Sequence, residues 1–274
     1  MPTRSAIRVY GMLFVALVLT ASPALAQFRP RTISDPATGE SYRIEGSAGF
    51  WSPSATMSIS SESLGIVGST IDFKKDLGLK NKRFGELHAV LKASRKHKFR
   101  FQYIPIKYAQ QTTINRDIVF NGQLYRVGFP VNSALEWKAY RFGYEYDFIV
   151  TDRGFGGFLL DFKYTDVRAS LQSPANSEFA HAHAPIPALG GIVRVYVIPI
   201  VSITGELTGI KVPDSISKDF KAHYADLDIY STVNLTNNIG AQLGYRSFDV
   251  GYLLEQDTGS FKLKGLYFGV VARY

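Results

Sequence analysis

The residues that could do chemistry are few and scattered. Cysteine is absent, which excludes thiolate nucleophiles, disulfides and cysteine-ligated zinc. Two of the five histidines, His181 and His183, stand in the run Ala-His-Ala-His-Ala. On an extended backbone this spacing puts both rings on one side, a pair suited to Zn²⁺ or Cu²⁺. Glu178 is the nearby carboxylate, and no further ligand follows at metal-site spacing. Acid–base catalysis needs an imidazole and a carboxylate within hydrogen-bond reach. His88, Asp166, His181, His183 and His223 are the candidates near an outer rim, with Glu86 two positions from His88. No phosphate-binding glycine loop, zinc-protease motif or nucleophile elbow is present. The expectation is a non-enzymatic chain with no catalytic residues, no cofactor and no resident metal.

The elements that must position these residues are strands. Tyrosine (16) and phenylalanine (19) are abundant, and aromatic residues favour pleated structure. About ten segments alternate with period two. Between Tyr224 and Leu235, the residues Ala225, Leu227, Ile229 and Val233 alternate with Asp226, Asp228, Tyr230 and Thr232. After Thr236-Asn237-Asn238, the residues Ile239, Ala241, Leu243 and Tyr245 alternate with Gly240, Gln242, Gly244 and Arg246. Further segments carry Leu87 to Ala93, Phe99 to Tyr103, Phe142 to Phe148, Phe158 to Tyr164, and Val193 to Val197. Short turns are expected near residues 94–97, 149–154, 197–200 and 235–238. Longer loops are expected near 54–83, 111–132, 172–186, 211–222 and 254–260. Within the second of these, Asn121-Gly122 inside Ile118–Tyr125 predicts a hairpin with a type I′ turn. Pro199 decides the strand count: ten if it marks a turn, nine if it is a bulge. Termini on one side of a sheet require an even number, which favours ten over nine, with eight and twelve as the other even counts.

The first 26 residues read as a targeting signal. Arg4 and Arg8 precede the apolar run Gly11–Ala21, and Ala24-Leu25-Ala26 is a small-x-small cleavage site. The run is short for a membrane span, which needs roughly 20 residues. Residues 27–40 read as a periplasmic linker and 41–274 as the barrel. Cleavage removes two cations, leaving 29 basic residues against the 23 acidic ones. An exported protein rarely meets nucleic acid, so this surplus is assigned to loops near anionic head groups.

The last strand ends Tyr267-x-Gly269-x-x-Ala272-x-Tyr274, with Leu266, Phe268, Val270, Ala272 and Tyr274 on one face. This ending resembles the C-terminal signal read by the machinery that inserts outer-membrane barrels. With the signal peptide and the alternating strands, the mature chain resembles the OmpA/OmpW-like small outer-membrane barrels. The resemblance implies an all-β, closed, antiparallel, up-and-down transmembrane barrel with the polar face inward. No attached plug or peptidoglycan-binding domain is expected.

The expected lumen holds Arg43, Lys92, Arg100, Arg141, Lys163, Arg194, Arg246 and Arg273. Their acidic counterparts are Glu45, Glu86, Glu145, Asp147, Asp161, Glu206, Asp226 and Asp228. Buried charges must pair, and a barrel of about eight strands is filled by its side chains. The lumen is therefore expected to be closed. The expected partners are outer-membrane lipid, the insertion machinery, and lipopolysaccharide at the basic first loop (Asp72-Phe73-Lys74-Lys75-Asp76 and Lys80-Asn81-Lys82-Arg83). Nothing in the sequence fixes an oligomeric state. The favoured role is structural or surface-interacting. The alternatives are a narrow solute channel and an omptin-like or lipid-modifying surface hydrolase.

Overall fold

The computed structural model describes residues 35–60, 68–174, 177–212, 220–254 and 257–274. The expected signal peptide and the first part of the expected linker lie outside the described residues. Among the described residues thirteen strands follow one another: β1 (Ile44–Ser60), β2 (Ile71–Asp72), β3 (Phe84–Lys92), β4 (His97–Thr113), β5 (Ile118–Phe120), β6 (Gln123–Tyr125), β7 (Pro130–Thr151), β8 (Gly154–Gln172), β9 (Ser177–Ile198), β10 (Val201–Lys211), β11 (Phe220–Asn234), β12 (Ile239–Leu254) and β13 (Asp257–Arg273).

Ten of them form the barrel, in the order β1, β3, β4, β7, β8, β9, β10, β11, β12, β13. All neighbouring pairs are antiparallel, and β13 closes on β1 from Glu45 opposite Arg273 to Ser60 opposite Thr258. This seam runs the shared length of β1 and β13, so the sheet has no free edge there. Pro199 and Ile200 form the turn between β9 and β10, which makes the strand number even. The separate β5–β6 hairpin turns at Asn121 and Gly122, both at positive φ (49° and 78°). That is the type I′ geometry Asn-Gly favours.

The loops at the far end are shorter than their composition suggests. Residues 172–186 do not form a long loop. β8 pairs with β9 as far as Gln172 opposite Ser177, so His181 and His183 lie on a strand. Likewise β12 and β13 pair to Leu254 opposite Asp257. These strands outrun the apolar band because pairing continues to satisfy their backbone where the exterior becomes polar.

That exterior change is the main feature of the fold. On β7, Tyr140, Phe142, Tyr144, Tyr146 and Phe148 face outward below, and Glu136, Lys138 and Asn132 face outward above. The inward positions of the same strand reverse the pattern: Arg141, Glu145 and Asp147 below, then Trp137, Leu135 and Val131 above. β4 repeats the switch between Gln102 and Ile104, β12 between Arg246 and Phe248, and β13 between Tyr267 and Leu263. The lower band spans Tyr140–Phe148 on β7, Leu227–Leu235 on β11 and Leu266–Tyr274 on β13. Each is about nine residues, the length a tilted transmembrane strand needs.

Candidate functional site: the barrel interior and its outer wall

The lower interior is a paired charge network. Arg246 donates to both carboxylate oxygens of Asp226 (2.9 and 2.6 Å). Lys163 reaches Asp226 at 3.1 Å and Thr208 at 2.9 Å. Arg141 lies 2.7 Å from Asp161 and 3.4 Å from Glu206. Arg100 bridges Glu145 and Glu206, and Tyr267 donates to Asp228 at 2.9 Å. At the seam, Arg273 holds Glu45 and donates to Asn234 at 2.7 Å. These partners come from different strands, so the network cross-braces the wall.

Two assignments change. Arg43 is exposed at the lower mouth. Its N–H bonds to the Tyr274 carbonyl ahead of the first barrel strand, while Tyr42 turns inward instead. Lys98, absent from the expected set, is buried beside Glu145 (2.6 Å) and Asp147 (2.8 Å). Its parity with Arg100 was the available signal, hidden by its place next to a turn.

The upper interior holds few charges. Trp51, Met57, Ile104, Ile106, Leu135, Trp137, Phe248, Phe261 and Leu263 pack as one apolar cluster. Phe73, Leu77 and Leu79 of the first loop join it, with Ile114, Ile118, Phe120 and Tyr125 of the second. Arg116 latches this lid, donating to both oxygens of Asp76 (3.0 and 2.7 Å) and to the Thr70 carbonyl (2.7 Å). The Arg116 bond is the largest influence on Asp76 and, despite partial burial, holds its carboxyl below the ordinary range. The loop lysines Lys74, Lys75, Lys80 and Lys82 remain exposed. A cavity of about 20 Å³ lies between Trp51, Arg141 and Phe248, and one of about 10 Å³ under the lid. The larger holds one water at most.

The candidate acid–base residues do not gather at one place, although His181 and Asp166 come within hydrogen-bond reach. His88 lies inside the lower band rather than at an outer rim, 3.5 Å from Glu86 and 3.0 Å from Gln102. β3 faces it inward, where it joins the polar network. His181 and Asp166 meet at 2.8 Å on the outer wall, and His183 stands in register opposite Asp166. His223 lies 3.5 Å from Asp249, also on the outside. Among the described residues, no group of three metal-ligating side chains forms.

The outer wall above the apolar band is a charged checkerboard. Lys107, Glu136, Arg168 and His181 form one row across β4, β7, β8 and β9; Lys138, Asp166 and His183 form the row beneath. Directly below, Tyr103 stacks on Tyr140 (4.8 Å) with Tyr164 opposite. Tyrosines at this level form an interfacial girdle.

No family model matches the sequence, and no curated protein matches it. Among solved structures, the outer-membrane protease OmpT of Escherichia coli is similar at a TM-score of 0.54. The match covers 89% of this chain and all of that one, at 7% identity. The chain has the outer-membrane β-barrel fold. Ail of Yersinia pestis with sucrose octasulfate aligns at 0.35 (10% identity, 82% of this chain and 97% of that one). The toluene transporter TodX of Pseudomonas putida aligns at 0.30 (9% identity, 88% and 93%). At such identities the OmpT likeness concerns the fold alone. Outer-membrane barrels have short periplasmic turns and longer extracellular loops, and here the short turns lie at the lower mouth and the longer loops at the lid.

Proposed function

We propose that this protein is a closed, non-enzymatic outer-membrane barrel with a structural and surface-interacting role. The observation that carries the reading is the double filling of the lumen, with paired charges at membrane depth and an apolar core above. A path for solutes would have to cross both. The dispersal of the four candidate imidazoles over the lumen and two patches of outer wall supports the non-enzymatic part. The expected result in planar bilayers is no steady conductance. Steady single-channel openings would overturn the closed reading in favour of a narrow channel.

The outer wall supports lipopolysaccharide as the lipid partner. Lys107, Lys138 and Arg168 stand just above the tyrosine girdle, where phosphate groups can accept charge-assisted hydrogen bonds. Replacing Lys138 and Arg168 together by Glu should weaken co-purification of lipopolysaccharide. Unchanged retention would remove this partner. The outward face of β13, ending in Tyr274, is the surface offered to the insertion machinery.

A further inference from the structure

The segment before β1 is built into the periplasmic mouth. The Thr38 N–H donates to the Pro199 carbonyl (2.7 Å) and the Ala37 N–H to that of Asp152 (3.2 Å). The Thr38 carbonyl accepts from Asn234 (2.7 Å) and Tyr196 (3.2 Å). Gly39 follows at φ +85°, and a Cβ there would stand 2.7 Å from the Arg273 guanidinium. Only glycine allows this turn so close to the wall.

The turn delivers one carboxylate. Glu40 accepts from Arg194 at 3.0 Å and from Tyr196 at 2.7 Å. Lys92 donates to its carbonyl at 2.7 Å and lies 4.0 Å from its carboxylate. Arg194 and Tyr196 are each 4% exposed. Among the described residues, Glu40 is the one carboxylate within salt-bridge distance of Arg194 or Lys92. The other charges facing this mouth are Lys98, matched by Glu145 and Asp147, and Arg273, matched by Glu45, together with Arg43, Arg95 and Asp152. A cavity of about 730 Å³, lined by Glu40, Tyr42, Arg43, Lys92 and Arg95, opens beside the carboxylate.

We propose that Arg194, Tyr196 and Lys92 form a carboxylate receptor that the chain fills with its own Glu40, and that a carboxylate-bearing periplasmic ligand exchanges for it. The buried guanidinium cannot be left without an anion, so the receptor is either self-occupied or ligand-occupied. The neighbouring cavity receives the remainder of the ligand. Exchange frees residues 36–40 from the mouth.

The test uses the full chain refolded in micelles. Amide exchange at Ala37 and Thr38 is followed with citrate, with a soluble cell-wall muropeptide, or with sodium chloride at matched ionic strength. Either carboxylate should accelerate exchange at both amides at least tenfold over the salt control. Muropeptide alone doing so identifies the cell wall as the source, and citrate alone a free acid. Exchange unchanged by both overturns the proposal. Independently, Glu40→Gln should bind citrate at least tenfold more tightly than the unaltered protein, and Lys92→Met added to it should reduce that gain. Equal citrate binding with and without Glu40 also overturns it.

Discussion

The two halves of this barrel wall are mirror images in polarity. At membrane depth β7 shows Phe142 and Tyr144 to lipid and holds Arg141 and Glu145 inside. A few residues further up, the same two faces show Lys138 and Glu136 to water and hold Trp137 and Leu135 inside. Neither register nor strand direction changes. What changes is the solvent outside. In hydrocarbon an outward ring is favoured, and the lumen can carry charge if the charges pair. In water the outward face must be polar, and the interior is stabilised as in a soluble barrel. One sheet thus contains two kinds of core, held together by continuous backbone pairing.

Substitutions can break this contrast. The largest effect is expected inside the membrane half. Arg141→Ala should leave Asp161 and Glu206 short of a cation and cost roughly 3–5 kcal/mol. It would appear as a lower heat-modifiability temperature on gels, and an unchanged temperature would show that the network is not tightly desolvated. In the upper half, Leu135→Ala opens a cavity in a fully buried site and should cost about 2–5 kcal/mol. It should also speed proteolysis of the lid, and a lid that stays resistant would uncouple it from the core below.

The outer face gives a sharper comparison along one strand. Leu160→Arg faces lipid and should cost about 2–4 kcal/mol. Gln172→Arg, on the same face of β8 above the band, should fall within about 0.5 kcal/mol. Equal effects in refolding titrations would erase the proposed boundary. The smallest effect concerns pH. Asp76 is held below its ordinary value, so its contribution to the lid is complete above that value and fades as pH falls through the lowered one. Lid amide protection, corrected for the intrinsic exchange rate at each pH, should therefore be constant from pH 7 to pH 5 and fall only in stronger acid. Loosening at pH 6 would assign the latch to another group.

Much of this was legible in the residues. The parity of Asp226, Asp228 and Tyr230 against Leu227 and Ile229 named the inward face of β11 correctly. Pro199 located the turn that makes the strand count even, and Asn121-Gly122 located the lid hairpin. The inversion was also written in the sequence. On β7, Glu136 and Lys138 share a parity with Phe142 and Tyr144, which no single solvent could favour. A period-two pattern carries alternation but not which class occupies each face, so alternation alone does not display the inversion. Loop lengths are hidden in a related way. The residues around His181 and His183 look polar and loop-like, yet they pair as strand because β8 runs alongside.

By itself, the sequence determined the strands, their antiparallel order, the apolar belt and the charged interior at membrane depth. The strands follow from local alternation and turn chemistry, and the inward polar face from the resemblance to outer-membrane barrels. The tertiary structure decided which cations meet which carboxylates, that the two loops pack as a lid on the upper core, and that Glu40 returns to Arg194. Each joins residues far apart in the chain, as with the 154 positions between Glu40 and Arg194. Such contacts exist only once the barrel has closed and its circumference has set which strands face one another across the lumen.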